Sequence, residues 1–217
     1  MLSSSNKIAI IGAGSVGAAI ANSLLLGKVV ADIILVDIDP AICHAQVQDL
    51  SDAEFLSNVR IKQGHHQDAG QCDIIIITAG AKQKPGDTRL DLISRNTKML
   101  EQVLDAMRPI RTDAILVLVA NPVDILTHFA QQLSGLPKSQ VFGSGTFLDS
   151  VRLRGLLANR LKVGAFSSVV TEPITNCSLG SGYRRPRLRL RGAWRFSICE
   201  CQTIVLICFV PTADSSP

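Results

Sequence analysis

IAIIGAGSVGAAIANSLLLGKVVADIILVD, Ile8 to Asp37, carries the strongest fold signal in the chain. Ile8, Ile10 and Ile11 make a short apolar run with the β-branched character of a buried parallel strand. Gly12, Gly14 and Gly17 follow at G-x-G-x-x-G spacing, and Ala18 to Leu26 continues as a helix. A second apolar run, Ile33 to Val36, ends on Asp37. In such a unit Gly12 permits the tight turn out of the strand. Gly14 lets the backbone approach a pyrophosphate, and Gly17 lets helix and strand pack closely. The helix N-terminus offers free N–H groups to the phosphates. Asp37 stands where a carboxylate accepts the adenine-ribose hydroxyls, which selects NAD over NADP.

Outward from this unit, apolar strands alternate with helices. Strands are expected at Val59–Lys62, Asp73–Thr78, Ala114–Val119 and Val141–Gly143, and helices at Ala41–Leu56, Leu90–Met107, Val123–Leu133 and Phe147–Leu161. His65 and His66 fall in a polar connection read as a solvated loop, since two adjacent histidines without a second ligand cluster do not make a metal site. AKQKPGDTR, residues 81–89, has the composition of a loop. Strands without polar alternation belong to a parallel sheet covered on both faces, so the fold class is α/β, a doubly wound Rossmann sheet. Ligands of such sheets bind at the carboxyl ends of the strands.

Composition narrows the function. Up to Val163 there are 16 Lys and Arg against 15 acids, a net charge of +1; beyond it, six Arg against three acids give +3. The body is near neutral and gives no support for nucleic-acid binding. MLSSSNK lacks the apolar segment of a signal peptide, and Ile204–Val210 is too short to span a membrane. The six cysteines have no paired spacing, as in a reduced, cytoplasmic protein.

Four segments share the carboxyl edge: GAGSVG (12–17), TAGAKQKPGDTRLDL (78–92), VANPVD (119–124) and GSGTFLDSVRLR (143–154). Together they resemble the lactate and malate dehydrogenase family, its L-lactate dehydrogenase branch most closely, from about Lys7 to Val163. The resemblance implies NAD as cofactor and the reaction pyruvate plus NADH to L-lactate plus NAD, in fermentative carboxylic-acid metabolism. It also implies assembly into homotetramers or dimers.

The roles of individual residues follow from the same resemblance. Arg89 matches the mobile-loop arginine that polarises the substrate carbonyl, a task suited to a permanently charged, forked donor. Gln83 matches the position where malate dehydrogenases carry arginine. A neutral side chain there leaves the second carboxylate of oxaloacetate unpaired, which argues for pyruvate. Asn121 matches the asparagine bonded to the substrate oxygen near the nicotinamide. Arg152 matches the arginine that anchors the substrate carboxylate, and Asp149 the aspartate that orients the catalytic histidine. Val16, Asp37, Thr78, Ala79, Gly80 and Ala81 match positions around the adenosine and pyrophosphate; Val119, Ala120 and Ser144 match positions nearer the nicotinamide. No metal site is expected.

After Val163 the match stops. The family continues with G-E-H-G-D-S, whose histidine is the proton donor; that motif is absent, and His44, His65, His66 and His128 all precede Asp149. His128 reads as a helix-surface or packing histidine. The expected organisation is therefore an NAD-binding domain over residues 1–145, the opening helix of the catalytic domain over 146–163, and a non-family tail over 164–217, with the second domain largely missing. The tail holds the only Trp and Tyr and four of the six cysteines. Its change of character fits a frame change or retained non-coding sequence. Cys199-Glu200-Cys201 and the arginines from Arg184 to Arg195 match no complete metal or nucleic-acid motif. Ile204–Val210 is an aggregation-prone segment.

Other readings are malate or another 2-hydroxyacid dehydrogenase, opposed by Gln83 in the first case, and an NAD-binding fragment without catalysis. A short-chain dehydrogenase is excluded, because the only tyrosine, Tyr183, has Arg187 where Y-x-x-x-K requires lysine.

Overall fold

The computed structural model describes residues 6–27, 31–56, 59–81, 86 and 88–162. Gln83, the tail arginines and cysteines and Ile204–Val210 lie outside the described residues. Contacts divide the chain into two units, one ending at Ser144 and one beginning at Gly145.

In the first unit, β1 (Asn6–Ile11), β2 (Ala31–Val36), β3 (Arg60–Gln63), β4 (Ile74–Ile77), β5 (Ile115–Leu118) and β6 (Val141–Gly143) form one sheet in the order β3-β2-β1-β4-β5-β6, every pair parallel. The register sets Ile8 against Ile33 and Ile74, and Ile10 against Leu35 and Ile76. Alternate residues then face opposite sides. Ile8, Ile10, Ile33, Leu35, Ile61, Ile76 and Val117 pack with Ala21 and Leu25 of α1 (Ser15–Leu26) and with Cys43 and Leu50 of α2 (Pro40–Ser51). Ala9, Ile11, Ile34, Val36, Ile75, Ile77, Leu116 and Leu118 pack with Ala69 of α3 (His66–Gly70), Leu100 and Leu104 of α4 (Arg89–Ala106), and Leu126 and Ala130 of α5 (Val123–Leu133). Both faces are covered, as expected of strands that are apolar throughout. Each fully buried Ile or Leu contributes about 1.5–3 kcal/mol.

Helix starts follow local chemistry. Asp39 caps α2 by accepting the amides of Ala41 at 2.9 Å and Ile42 at 3.3 Å, with Pro40 in the first turn. Thr88 and Asp91 form a reciprocal box: the Asp91 amide donates to Thr88 Oγ1 at 3.2 Å, and the Thr88 amide to Asp91 Oδ2 at 3.0 Å. That box sets Arg89 as the first residue of α4.

The structure corrects the chain reading in two places. The loop expected at His65 and His66 includes the one-turn helix α3. It is started by the His65 amide donating to Asp68 at 2.9 Å, a closure too short to leave a periodic pattern. The helix expected to reach Leu56 ends at Ser51 and resumes as a 3-10 turn at Glu54–Leu56, where the Glu54 carboxylate accepts the Ile61 amide at 2.7 Å. On α2 the buried residues are Cys43 and Leu50, while Ile42 is half exposed.

In the second unit, α6 (Phe147–Leu161) ends on Lys162 in a left-handed conformation, φ 53°.

Candidate cofactor site

The order of the sheet creates the site. The chain leaves β1 toward β2 and β3 on one side, then returns to β4 on the other side of β1. The carboxyl ends of β1 and β4 therefore flank the topological switch point, where doubly wound sheets hold their ligands.

The glycine-rich loop lies at that point and is held from two sides. Gly12 has φ 107°, and a Cβ on it would meet Thr78 Oγ1 at 2.7 Å and the Ala79 amide nitrogen at 2.8 Å. A Cβ on Gly17 would collide with the Gly12 carbonyl oxygen. Only glycine fits either position. Gly14 differs: nothing lies within 4 Å of its Cβ direction, and it is the exposed N-cap of α1. The loop thus offers an open backbone at the start of a helix, which suits a pyrophosphate. Ser15 and Val16 are exposed in the same first turn.

Two side chains from neighbouring strands brace this loop. Thr78, just after β4, donates its hydroxyl toward the carbonyls of Gly12 at 3.0 Å and Ile11 at 3.1 Å. Asp37, just after β2, accepts the buried Ala13 amide on Oδ2 at 2.6 Å and the Asp39 amide on Oδ1 at 2.9 Å. Each carboxylate oxygen is oriented by one backbone donor and retains acceptor capacity, as recognition of a ribose diol requires. These residues fit an adenine dinucleotide.

Across the switch point, Ala79, Gly80 and Ala81 follow β4, and Val119, Ala120 and Asn121 follow β5. The two tips lie close together: a Cβ on Gly80 would stand 3.3 Å from the Ala120 methyl. Ala120 is buried, Val119 packs partly against the core, and Asn121 is exposed. Ser144, after β6, donates its amide to the Leu118 carbonyl at 2.8 Å. The structure thus gathers Gly12, Gly14, Gly17, Asp37, Thr78 to Ala81, Val119 to Asn121 and Ser144 along one edge of the sheet.

Asn96 belongs to this edge too, and sequence reasoning passed over it. It is 1% exposed on α4; its Oδ1 accepts the Ala81 amide at 2.8 Å and its Nδ2 donates to the Asn121 carbonyl at 2.7 Å. The signal was present. Leu92, Asn96, Leu100 and Leu104 lie four apart, so the asparagine interrupts an apolar ridge of the helix.

Arg89 is exposed. In the second unit, Asp149 and Arg152 share a face of α6, with Oδ1 and Nη1 3.6 Å apart and both side chains about two-thirds exposed. Such a pair contributes little to stability, leaving both groups available for other partners. His128 is exposed on α5, with its Nε2 3.0 Å from Gln132 Nε2 and its ring edge-on to Phe129. His66 is half-buried; burial and the neighbouring His65 lower its pKa, with Asp37 opposing. Among the described residues no group of three or more His, Cys, Asp and Glu is placed to hold a metal.

Comparison with known proteins agrees with this geometry. The model of the lactate/malate dehydrogenase NAD-binding domain matches residues 6–143. L-lactate dehydrogenase A of Rhizopus oryzae is 53% identical over 149 residues, 69% of this chain and 47% of that protein. L-lactate dehydrogenase of Acetivibrio thermocellus is 43% identical over 160 residues, 73% of this chain and 50% of that protein. Among solved structures, the minor L-lactate dehydrogenase of Enterococcus mundtii, in a ligands-bound form, superposes with a TM-score of 0.72 at 35% identity, covering 76% of this chain and 53% of that one. The chain spans about half the length of the curated relatives it matches. With a six-stranded parallel sheet, a braced glycine loop at its switch point and a family match over residues 6–143, this chain belongs to the lactate/malate dehydrogenase family and carries that family's NAD-binding domain.

Proposed function

We propose that the chain binds NAD(H) at the carboxyl edge of the sheet as the cofactor half of an L-lactate dehydrogenase, and that these 217 residues by themselves turn over pyruvate at or near background. The observation that carries this reading is the glycine loop clasped between Asp37 and Thr78, with open space at Gly14. NADH, when bound, supplies the hydride that reduces the ketone carbon. The chain's own contribution is orientation and charge. Asp37 receives the adenine ribose and the α1 N-terminus the pyrophosphate. Arg89 polarises the substrate carbonyl, Asn121 bonds its oxygen, and Arg152 anchors the carboxylate in a bidentate pair. Gln83 leaves no partner for a second carboxylate, which favours pyruvate over oxaloacetate.

The step these residues are proposed not to supply is proton delivery to the ketone oxygen. Asp149 would orient a histidine, yet the chain's four histidines all precede it and the G-E-H-G-D-S segment is absent. Loss of a general acid costs about 10²- to 10⁴-fold in rate. The cytoplasm is the proposed location, with pyruvate or lactate as the small-molecule partner.

The test combines NADH titration by nicotinamide fluorescence with pyruvate-dependent loss of NADH absorbance, both on the purified chain. Saturable binding without turnover supports the proposal. Turnover at an ordinary enzymatic rate overturns the catalytic part, and absence of NADH binding overturns the whole.

A further inference from the structure

We propose that Asn96 is the positioning residue for the nicotinamide end of the crevice, an inference that rests on the cofactor reading above. Of the buried polar residues described, Asn96 is the least exposed, and its amide is used at both ends. The partners fix which end is which: an amide N–H requires the oxygen, and a carbonyl requires the nitrogen. The side chain therefore spans the two strand tips, from Ala81 after β4 to Asn121 after β5. The tips approach each other at Gly80 and Ala120, and Asn96 ties the chain one residue beyond that approach on each side.

The tie has a directional consequence. Anchoring the Asn121 carbonyl sets the backbone of a residue that is itself exposed, so the Asn121 side chain is presented from a fixed base. The glycine loop is held independently, by Thr78 and Asp37, and none of those three bonds runs through Asn96. Loss of Asn96 should loosen the β4–β5 side of the crevice and leave the adenosine–pyrophosphate side in place. A leucine at this position keeps the branched outline of the side chain but leaves the Ala81 amide and Asn121 carbonyl without these partners.

The experiment uses the full 217-residue chain and its Asn96→Leu and Asn96→Ser variants, titrated separately with ADP and with NADH, with amide hydrogen exchange followed at Ala81. In Asn96→Leu, exchange at Ala81 should accelerate, ADP affinity should stay within about twofold, and NADH affinity should fall about tenfold. Equal losses for ADP and NADH would show a general structural role and overturn the assignment, as would unchanged NADH affinity. If Asn96→Leu does not fold, Asn96→Ser, which is too short to span both tips, decides by the same criteria. A parent chain that binds neither nucleotide overturns the cofactor reading and this inference with it. A parent that binds both, with Ala81 exchange indifferent to substitution, overturns the Asn96 tie alone.

Discussion

Asp37 and Ala13 are 24 residues apart in sequence and joined by a 2.6 Å hydrogen bond from the Ala13 amide to the Asp37 carboxylate. The bond links the end of β2 to the loop after β1, so the acid that would read the ribose also shapes the loop that would hold the pyrophosphate. In the proposed function one side chain serves stability and recognition together.

Replacing Asp37 with alanine should therefore affect both. The Ala13 amide is buried and would lose its acceptor, at a cost of about 1–3 kcal/mol in unfolding free energy. NADH affinity should fall as well, because the ribose loses its carboxylate partner. Urea denaturation and fluorescence titration of the same variant measure the two effects; a loss of affinity with stability unchanged would show that the Ala13 bond contributes nothing to the fold.

Gly14 and Gly17 should separate stability from binding. Gly17→Ala drives a methyl onto the Gly12 carbonyl, an overpacking expected to cost about 1–3 kcal/mol. Gly14→Ala enters open space, so its cost should stay below about 1 kcal/mol, that of a poorer N-cap. The same methyl stands where the pyrophosphate would approach, so Gly14→Ala should still weaken NADH. Thermal melts with and without NADH report both. A Gly14→Ala variant with parental affinity would show that the loop is not the phosphate cradle.

Cys72 should shape the alkaline limit of stability. Its thiol is buried under α3, donates to the Asp68 carbonyl at 3.4 Å, and is pushed up to about 11 chiefly by burial. Between pH 9.0 and about 11 the unfolded chain releases this proton while the folded chain keeps it. The folded state then binds more protons, so stability falls as pH rises through that window and is unaffected below it. Cys72→Ala should flatten this part of the pH profile, as read from urea midpoints between pH 8 and 11. An unchanged alkaline slope would assign it to other groups.

How much of this was legible in the chain follows from the range of the forces involved. Runs such as Ile74–Ile77 and Ile115–Leu118 announce buried parallel strands, because hydrophobic content and β-branching act within a few residues. G-x-G-x-x-G followed by Asp37 announces the cofactor edge for a similar reason: the turn geometry and the next strand's end are local features. The α3 turn was not legible, since five residues carry too short a pattern.

Still less visible were the partners. Thr78 reaches Gly12 across 66 residues, and Asn96 reaches Asn121 across 25. Local residue pattern carried the six strands, the longer helices and the glycine spacing. Which buried polar groups close the site depends on packing across the whole sheet. A hydrogen bond between distant residues exists only after strand order and register bring donor and acceptor within about 3 Å, and that placement depends on how the whole sheet packs.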